Sequence, residues 1–114
     1  MADHIRVRRL EGTWSVRSGG AVLGETQNAL ELSEGDLAPV VYFPRADIAM
    51  AMLDRTDKTT ECPHKGVANY YSIVNMSTTD ENAVWTYETP HAAVAAIKDH
   101  LAFYPTSRVR VERI

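Results

Sequence analysis

The sequence predicts a mainly β domain with two short helices, an α+β arrangement built on antiparallel sheets. Three observations carry that expectation. Short apolar runs alternate with charged residues, most plainly in "HIRVRRL" near the start and "SRVRVERI" at the end. Turn signals rich in Gly, Pro, Ser and Asp separate these runs. Only two stretches carry the three-to-four-residue apolar spacing of a helix.

The first third reads as strands. Ile5, Val7 and Leu10 can face a core while Arg6 and Arg8 face water. Trp14 and Val16 share one side of "TWSVRS", and "SGG" at Ser18 to Gly20 turns the chain into "AVLGE", a hairpin signal. "NALEL" sets Ala29 against Leu30 and Leu32 before "SEGD" breaks the pattern. "APVVYFP", ending at Pro44, has the β-branched and aromatic content of a buried strand.

After Pro44 the period changes. Ile48, Met52 and Leu53 in "RADIAMAML" recur at helical spacing and predict a helix of about two turns, closed by the polar "DRTDKTT". A second helix is expected from Thr89 as N-cap, Pro90 at the first helical position, and a stripe of Val94, Ile97 and Leu101, with Pro105 as the stop. Between them "VANYYSIVNM" and "NAVWTYE" read as two strands joined by "STTDE". In the second, Ala83, Trp85 and Tyr87 share one face, and Val84, Thr86 and Glu88 the other. The terminal "SRVRVERI" mirrors "IRVRR", so the two ends are expected to lie side by side. Seven or eight short strands result.

Composition narrows the function classes. A chain of 114 residues is read as one domain, 1–114, with a single core. No apolar run approaches the ~18 residues of a membrane span, and "MADHIRVRRL" has no apolar segment of a secretory leader. A lone cysteine, Cys62, forms no intrachain disulfide, which fits a reducing cytoplasm. The net charge of −3 argues against nucleic acid as a partner. A homo-oligomer stays open.

The stretch "TTECPHKGVANYY" holds the chemistry-bearing residues closest together. Pro63 favours the second position of a type I turn, and Gly66 a left-handed bulge position, so the stretch reads as a hairpin. Cys62 then ends the incoming strand, with His64 and Lys65 exposed at the tip. Two neighbouring cations would favour a reactive thiolate. A free cysteine is also a small buried hydrophobe, and that reading leads.

Zinc is not expected. One Cys with scattered His4, His91 and His100 gives no paired ligand spacing. Asp47, Asp54, Asp57 and Glu61 could hold magnesium or share a proton, but acidic groups around helix ends are usually solvated. Gly19 and Gly20 followed by "EGD" resemble a nucleotidyltransferase signature only loosely, and Gly35 reads as a turn residue. No cofactor is expected. The arginines at 6, 8, 9, 17, 108, 110 and 113 would merge into one basic face if the end strands were neighbours. Interspersed Glu11 and Glu112 favour charged strand edges instead.

The aromatics point toward a pocket. Tyr42, Phe43, Tyr70, Tyr71, Trp85, Tyr87 and Tyr104 all fall beyond the first third. Buried tyrosine hydroxyls need polar partners, which Lys65, Asp57 or Thr59 at a rim could supply.

Taken in order, "VVYFPRADIAMAMLDRTDKTTECPHKGVANYYSI", "NAVWTYETP" and "AFYP" resemble a bacterial family, domain of unknown function 427. The resemblance runs from Val40 to about Pro105, while the first forty residues match in strand pattern alone. It implies a β-tent-like fold, two antiparallel sheets meeting at an angle, whose zinc-binding relatives carry paired cysteines absent here. Family members have been labelled nucleotidyltransferase-like, and no biochemical role comes with the resemblance. Its motif falls on Tyr42, Pro44, Arg45, Asp47, Asp57, Thr59, Cys62, Lys65, Gly66, Tyr71, Trp85, Tyr87 and Tyr104.

The leading expectation is a non-catalytic domain binding a small molecule or peptide in an aromatic-lined cleft near the CPHKG hairpin. Tyr42, Asp57, Thr59, Cys62, Lys65, Tyr71, Trp85 and Tyr87 are its expected lining. Some β-tent relatives bind ligands in aromatic cages. The alternative is an enzyme for a small polar substrate, with Cys62 or Asp57 reactive and Lys65 holding an anion. A third reading is a protein-interaction domain using the exposed first helix.

Overall fold

The alternation of "IRVRR" is realised as β1 (Ile5–Arg9), the first of ten strands in a computed structural model that describes residues 4–114. Met1 to Asp3, part of the charged stretch read above as no leader, lie outside the described residues. Next come β2 (Trp14–Ser18), β3 (Ala21–Thr26), β4 (Leu30–Glu34) and β5 (Val40–Pro44). The chain continues through β6 (Leu53–Cys62), β7 (Gly66–Val74), β8 (Thr79–Tyr87), β9 (His100–Phe103) and β10 (Val109–Arg113). No helix among the described residues is long and apolar enough to cross a membrane.

All pairings are antiparallel. Seven strands form one sheet in the order β1-β4-β5-β9-β8-β7-β6, and three form a second, β10-β2-β3. The hairpins read from "SGG" and from "CPHKG" are β2–β3 and β6–β7. The expected pairing of the two ends is overturned: β1 pairs with β4 and β10 with β2, in different sheets. Alternating apolar and charged residues specify a half-buried strand but not its partner. The arginines therefore do not merge. Arg8 pairs with Glu31 on β4, whereas Arg17 and Arg110 face each other across the smaller sheet.

Neither expected α-helix forms. The first dissolves into two single 3₁₀ turns, Arg45–Asp47 and Met50–Met52. Ile48 between them is extended and bridges to Gly24 of β3, stitching the two sheets together. The "DRTDKTT" that was to end this helix is the body of β6. In the second, Ala92–Ile97 is a 3₁₀ run kinked at Val94, and Leu101 already belongs to β9. Val94 and Ile97 are three apart, which suits 3.0 residues per turn as well as 3.6. Asp99 then reverses the chain with a positive φ of 55°, and Leu101 is buried from a strand. The interaction surface expected on an exposed first helix has no helix to carry it.

The larger sheet is covered on both faces, so neighbouring residues enter different cores. Phe43, Tyr71, Ile73, Val84, Leu101 and Phe103 pack with Val16, Leu23 and Val109 of the smaller sheet. Tyr42, Ala68, Tyr70, Tyr87 and Ala102 face the other way, beneath Val94 and Ile97. Polar links also join the layers: the Thr26 hydroxyl donates to Asp47 at 2.7 Å, and Asp80 takes Arg108.

Candidate binding cavity

The turn read from "CPHKG" closes with Lys65 N–H donating to the Cys62 carbonyl at 3.2 Å. Gly66 follows with φ of 113°, a conformation that glycine adopts without strain. A Cβ there would meet the Thr89 carbonyl at 3.3 Å, so the turn lies against the segment leaving β8. His91 N–H donates to the Lys65 carbonyl at 3.0 Å and fixes the same contact. This packing draws Lys65 inward. Its side chain is only 14 % exposed, and its Nζ donates to Glu34 Oε1 at 2.6 Å. The expected exposed lysine at the turn tip is thereby corrected. His64 is half-buried, edge-on to His4 at 4.9 Å, and His4 Nε2 stands 3.7 Å from Glu34.

Lys65 and Glu34 border a cavity of about 230 Å³ on the face of the larger sheet away from the smaller one. Its wall is built by strand alternation. Tyr42 projects from β5, Tyr70 from β7, and Trp85 and Tyr87 from β8, with Trp85 opposite Tyr70 in register. Leu32 and Val40 complete the apolar side, and Tyr104, just past β9, closes one end. Leu37, on the turn between β4 and β5, is 66 % exposed and stands at the lining with nothing to bury it.

The hydroxyls are the informative groups. Trp85 Nε1 donates to the Tyr42 hydroxyl at 3.2 Å, which leaves the Tyr42 O–H free to donate. Tyr70 shares a hydrogen bond with Thr60 at 2.9 Å. Tyr87 is buried as a residue, but its hydroxyl, without a side-chain partner among the described residues, is not itself a buried unpartnered atom and keeps access to the cavity's solvent. Burial pushes the Tyr42 phenol up to about 12 and raises that of Tyr87 as well, so both stay protonated donors at neutral pH. The Lys65 hydrogen bond holds the Glu34 carboxyl below its usual range, against a smaller opposing push from burial. Lys65 keeps two N–H groups beyond the one given to Glu34.

Of the residues expected to line a cleft, Tyr42, Lys65, Trp85 and Tyr87 come together here. Tyr71 does not. Adjacent to Tyr70, it points into the other core, where its hydroxyl accepts from Arg45 at 3.1 Å. Asp57 and Thr59 lie on an exposed, irregular part of β6. Asp57 is five residues from Cys62, about 16 Å along an extended strand, so it does not reach Lys65. Cys62 is half-buried at the end of β6 and outside the lining. Among the described residues no three His, Cys, Asp or Glu side chains converge as a metal site would require.

Sequence reasoning missed Glu34, Leu37, Tyr70 and Tyr104 as lining. Glu34 looked like part of a strand-breaking turn, and nothing local marks its partner 31 residues on. The signal for Tyr70 was available, since Gly66, Ala68 and Tyr70 share one face of β7 by period two.

An antiparallel two-sheet domain with a tyrosine-lined cavity, closed on one side by a lysine–glutamate pair, is the class that fold and site define. A family model described as a domain of unknown function (DUF427) matches residues 6–114, and the chain belongs to that family. The match reaches back through β1 to β4, which the motifs alone did not cover. Among curated proteins nothing matches the chain.

Proposed function

We propose that this domain binds a small molecule in the cavity bounded by Lys65, Glu34, Tyr42 and Tyr87. One observation carries the reading: Tyr42, Tyr70, Trp85 and Tyr87 converge on one mostly apolar cavity whose polar end is the shielded Lys65–Glu34 pair. The free Tyr42 O–H and two Lys65 N–H groups bordering the same space support it. Such cavities, mostly apolar with a few convergent polar groups, are the usual form of small-ligand sites. Binding leads over nucleophilic chemistry at Cys62, because that thiol stands outside the lining while Lys65 is engaged by Glu34.

Native mass spectrometry of gently purified protein tests this. The expected spectrum shows an added mass on the chain that is absent from a folded Trp85→Ala variant. A bare wild-type chain, or an added mass retained by the variant, contradicts it.

A further inference from the structure

Tyr71, turned away from the cavity by the alternation of β7, belongs to a second polar cluster on the opposite face of the larger sheet. Its ring is buried, and its hydroxyl stands between two guanidiniums. Arg45 donates to it at 3.1 Å from the turn after β5. Arg55 donates at 3.5 Å from β6, where it pairs with Tyr71 in register. Both guanidiniums also lie against the ring, 5.8 and 5.9 Å from its centre.

The two cations have unequal counterions. Glu88, just past β8, takes Arg55 through both oxygens, at 2.9 and 3.1 Å. With its amide nitrogen toward Glu88, Asn69 donates to Oε1 at 3.2 Å and accepts from Arg55 at 3.0 Å. The Arg55 hydrogen bonds hold the Glu88 carboxyl below its usual range against an opposing push from burial, and the Arg45 charge adds to the lowering. Arg45 itself is exposed and has no ion-pair partner among the described residues. Two guanidiniums thus share one ionised carboxylate.

We infer that Arg45 and the Tyr71 hydroxyl form a surface site for an oxyanion, a carboxylate or phosphate group, separate from the cavity and independent of its reading. The hydrogen-bond positions fix the sign of the ligand. Both acceptor positions of the Tyr71 oxygen are taken by guanidiniums, so the hydroxyl has only its proton to give. That proton meets no acceptor among the described residues. Arg45 gives one N–H to Tyr71, keeps the rest of its fork, and accepts nothing. The Glu88 oxygens are held by Arg55 and Asn69. A cation would meet an uncompensated guanidinium. An oxyanion instead sets two oxygens on the planar fork and takes the Tyr71 proton as well.

The test records the Nε–H signals of Arg45 and Arg55 in proton–nitrogen spectra of the folded wild-type chain. Inorganic phosphate, acetate and methylammonium are titrated separately at one ionic strength held with sodium chloride. Phosphate or acetate should shift the Arg45 signal saturably while the Trp85 indole, in the cavity wall, stays in place. Either anion supports the site, and the tighter one tells a phosphate ligand from a carboxylate. Methylammonium should leave Arg45 unmoved. Tyr71→Phe keeps the net charge but has no proton to give, and should weaken binding of the anion about tenfold. Methylammonium moving Arg45 as far as the anions do overturns the sign of the ligand. An Arg45 shift that never saturates, or anions that move Trp85 and not Arg45, overturns the site. A folded Tyr71→Phe chain that binds as tightly as wild type overturns the part given to the hydroxyl.

Discussion

Lys65 Nζ and Glu34 Oε1, 2.6 Å apart, tie the turn between β6 and β7 to the end of β4. The two residues belong to opposite wings of the seven-stranded sheet. Their side chains are 14 % and 19 % exposed, so the pair is shielded enough to differ from an ordinary surface ion pair. It is both a strut of the fold and the polar end of the cavity.

Removing one partner should therefore cost more than removing both. Lys65→Met leaves Glu34 partly buried without its cation, and chemical denaturation should show a loss of about 1–3 kcal/mol. The double variant Lys65→Met with Glu34→Gln should recover part of that loss. Equal stability of single and double variants would show that the pair does not act as a strut.

The same pair gives a pH dependence of defined sign. The folded Glu34 carboxyl sits below its ordinary 4.5, so it binds protons less readily folded than unfolded. Its contribution is present above pH 4.5 and is lost as the pH falls through the lowered folded value. Melting temperature across the acid range should fall less steeply in Glu34→Gln than in wild type.

Two glycines hold close backbone approaches and should not accept side chains. Gly66→Val forces a β-branched residue to φ of 113° and should destabilise the fold by about 1–3 kcal/mol. Gly24→Ala places a Cβ 2.6 Å from the Asp47 carbonyl at the bridge between the sheets, with a loss of about 1–3 kcal/mol expected. Thermal unfolding of each variant checks both, and an unchanged Gly66→Val would contradict the hairpin geometry.

Cys62 should behave as a packed residue. Half-buried at a strand end, with Lys65 engaged elsewhere, it is expected to alkylate slowly in the folded protein and quickly in denaturant. Rapid alkylation of the native chain near neutral pH would restore the nucleophile reading.

The β character and both hairpins were legible because turn chemistry and period-two alternation are local. "SGG" and "CPHKG" announce their own geometry. Partnerships were not: "IRVRR" and "RVRVER" look alike, and which sheet each joins depends on contacts far along the chain. The helices failed for a different reason. Ile48 at helical spacing is held extended by its bridge to Gly24, and Leu101 is more deeply served by a central strand than by a helix face. At the site, the aromatic wall was half readable. Tyr70 and Tyr71 are neighbours, and choosing between them required the strand's facing. Glu34 carried no local sign of its role, since an acidic residue before a glycine turn is ordinary until Lys65 is brought to it.

The most direct measurement is the pair of indole N–H signals in a proton–nitrogen spectrum, recorded with fragment-sized carboxylates, alcohols and amines. The Trp85 indole donates to Tyr42 in the cavity wall, and the Trp14 indole donates to the Glu11 carbonyl away from it. A ligand in the cavity should shift the Trp85 signal saturably, and Tyr87→Phe should weaken that response. A Trp85 signal unmoved by every compound, or a response indifferent to Tyr87, would contradict the cavity as a binding site.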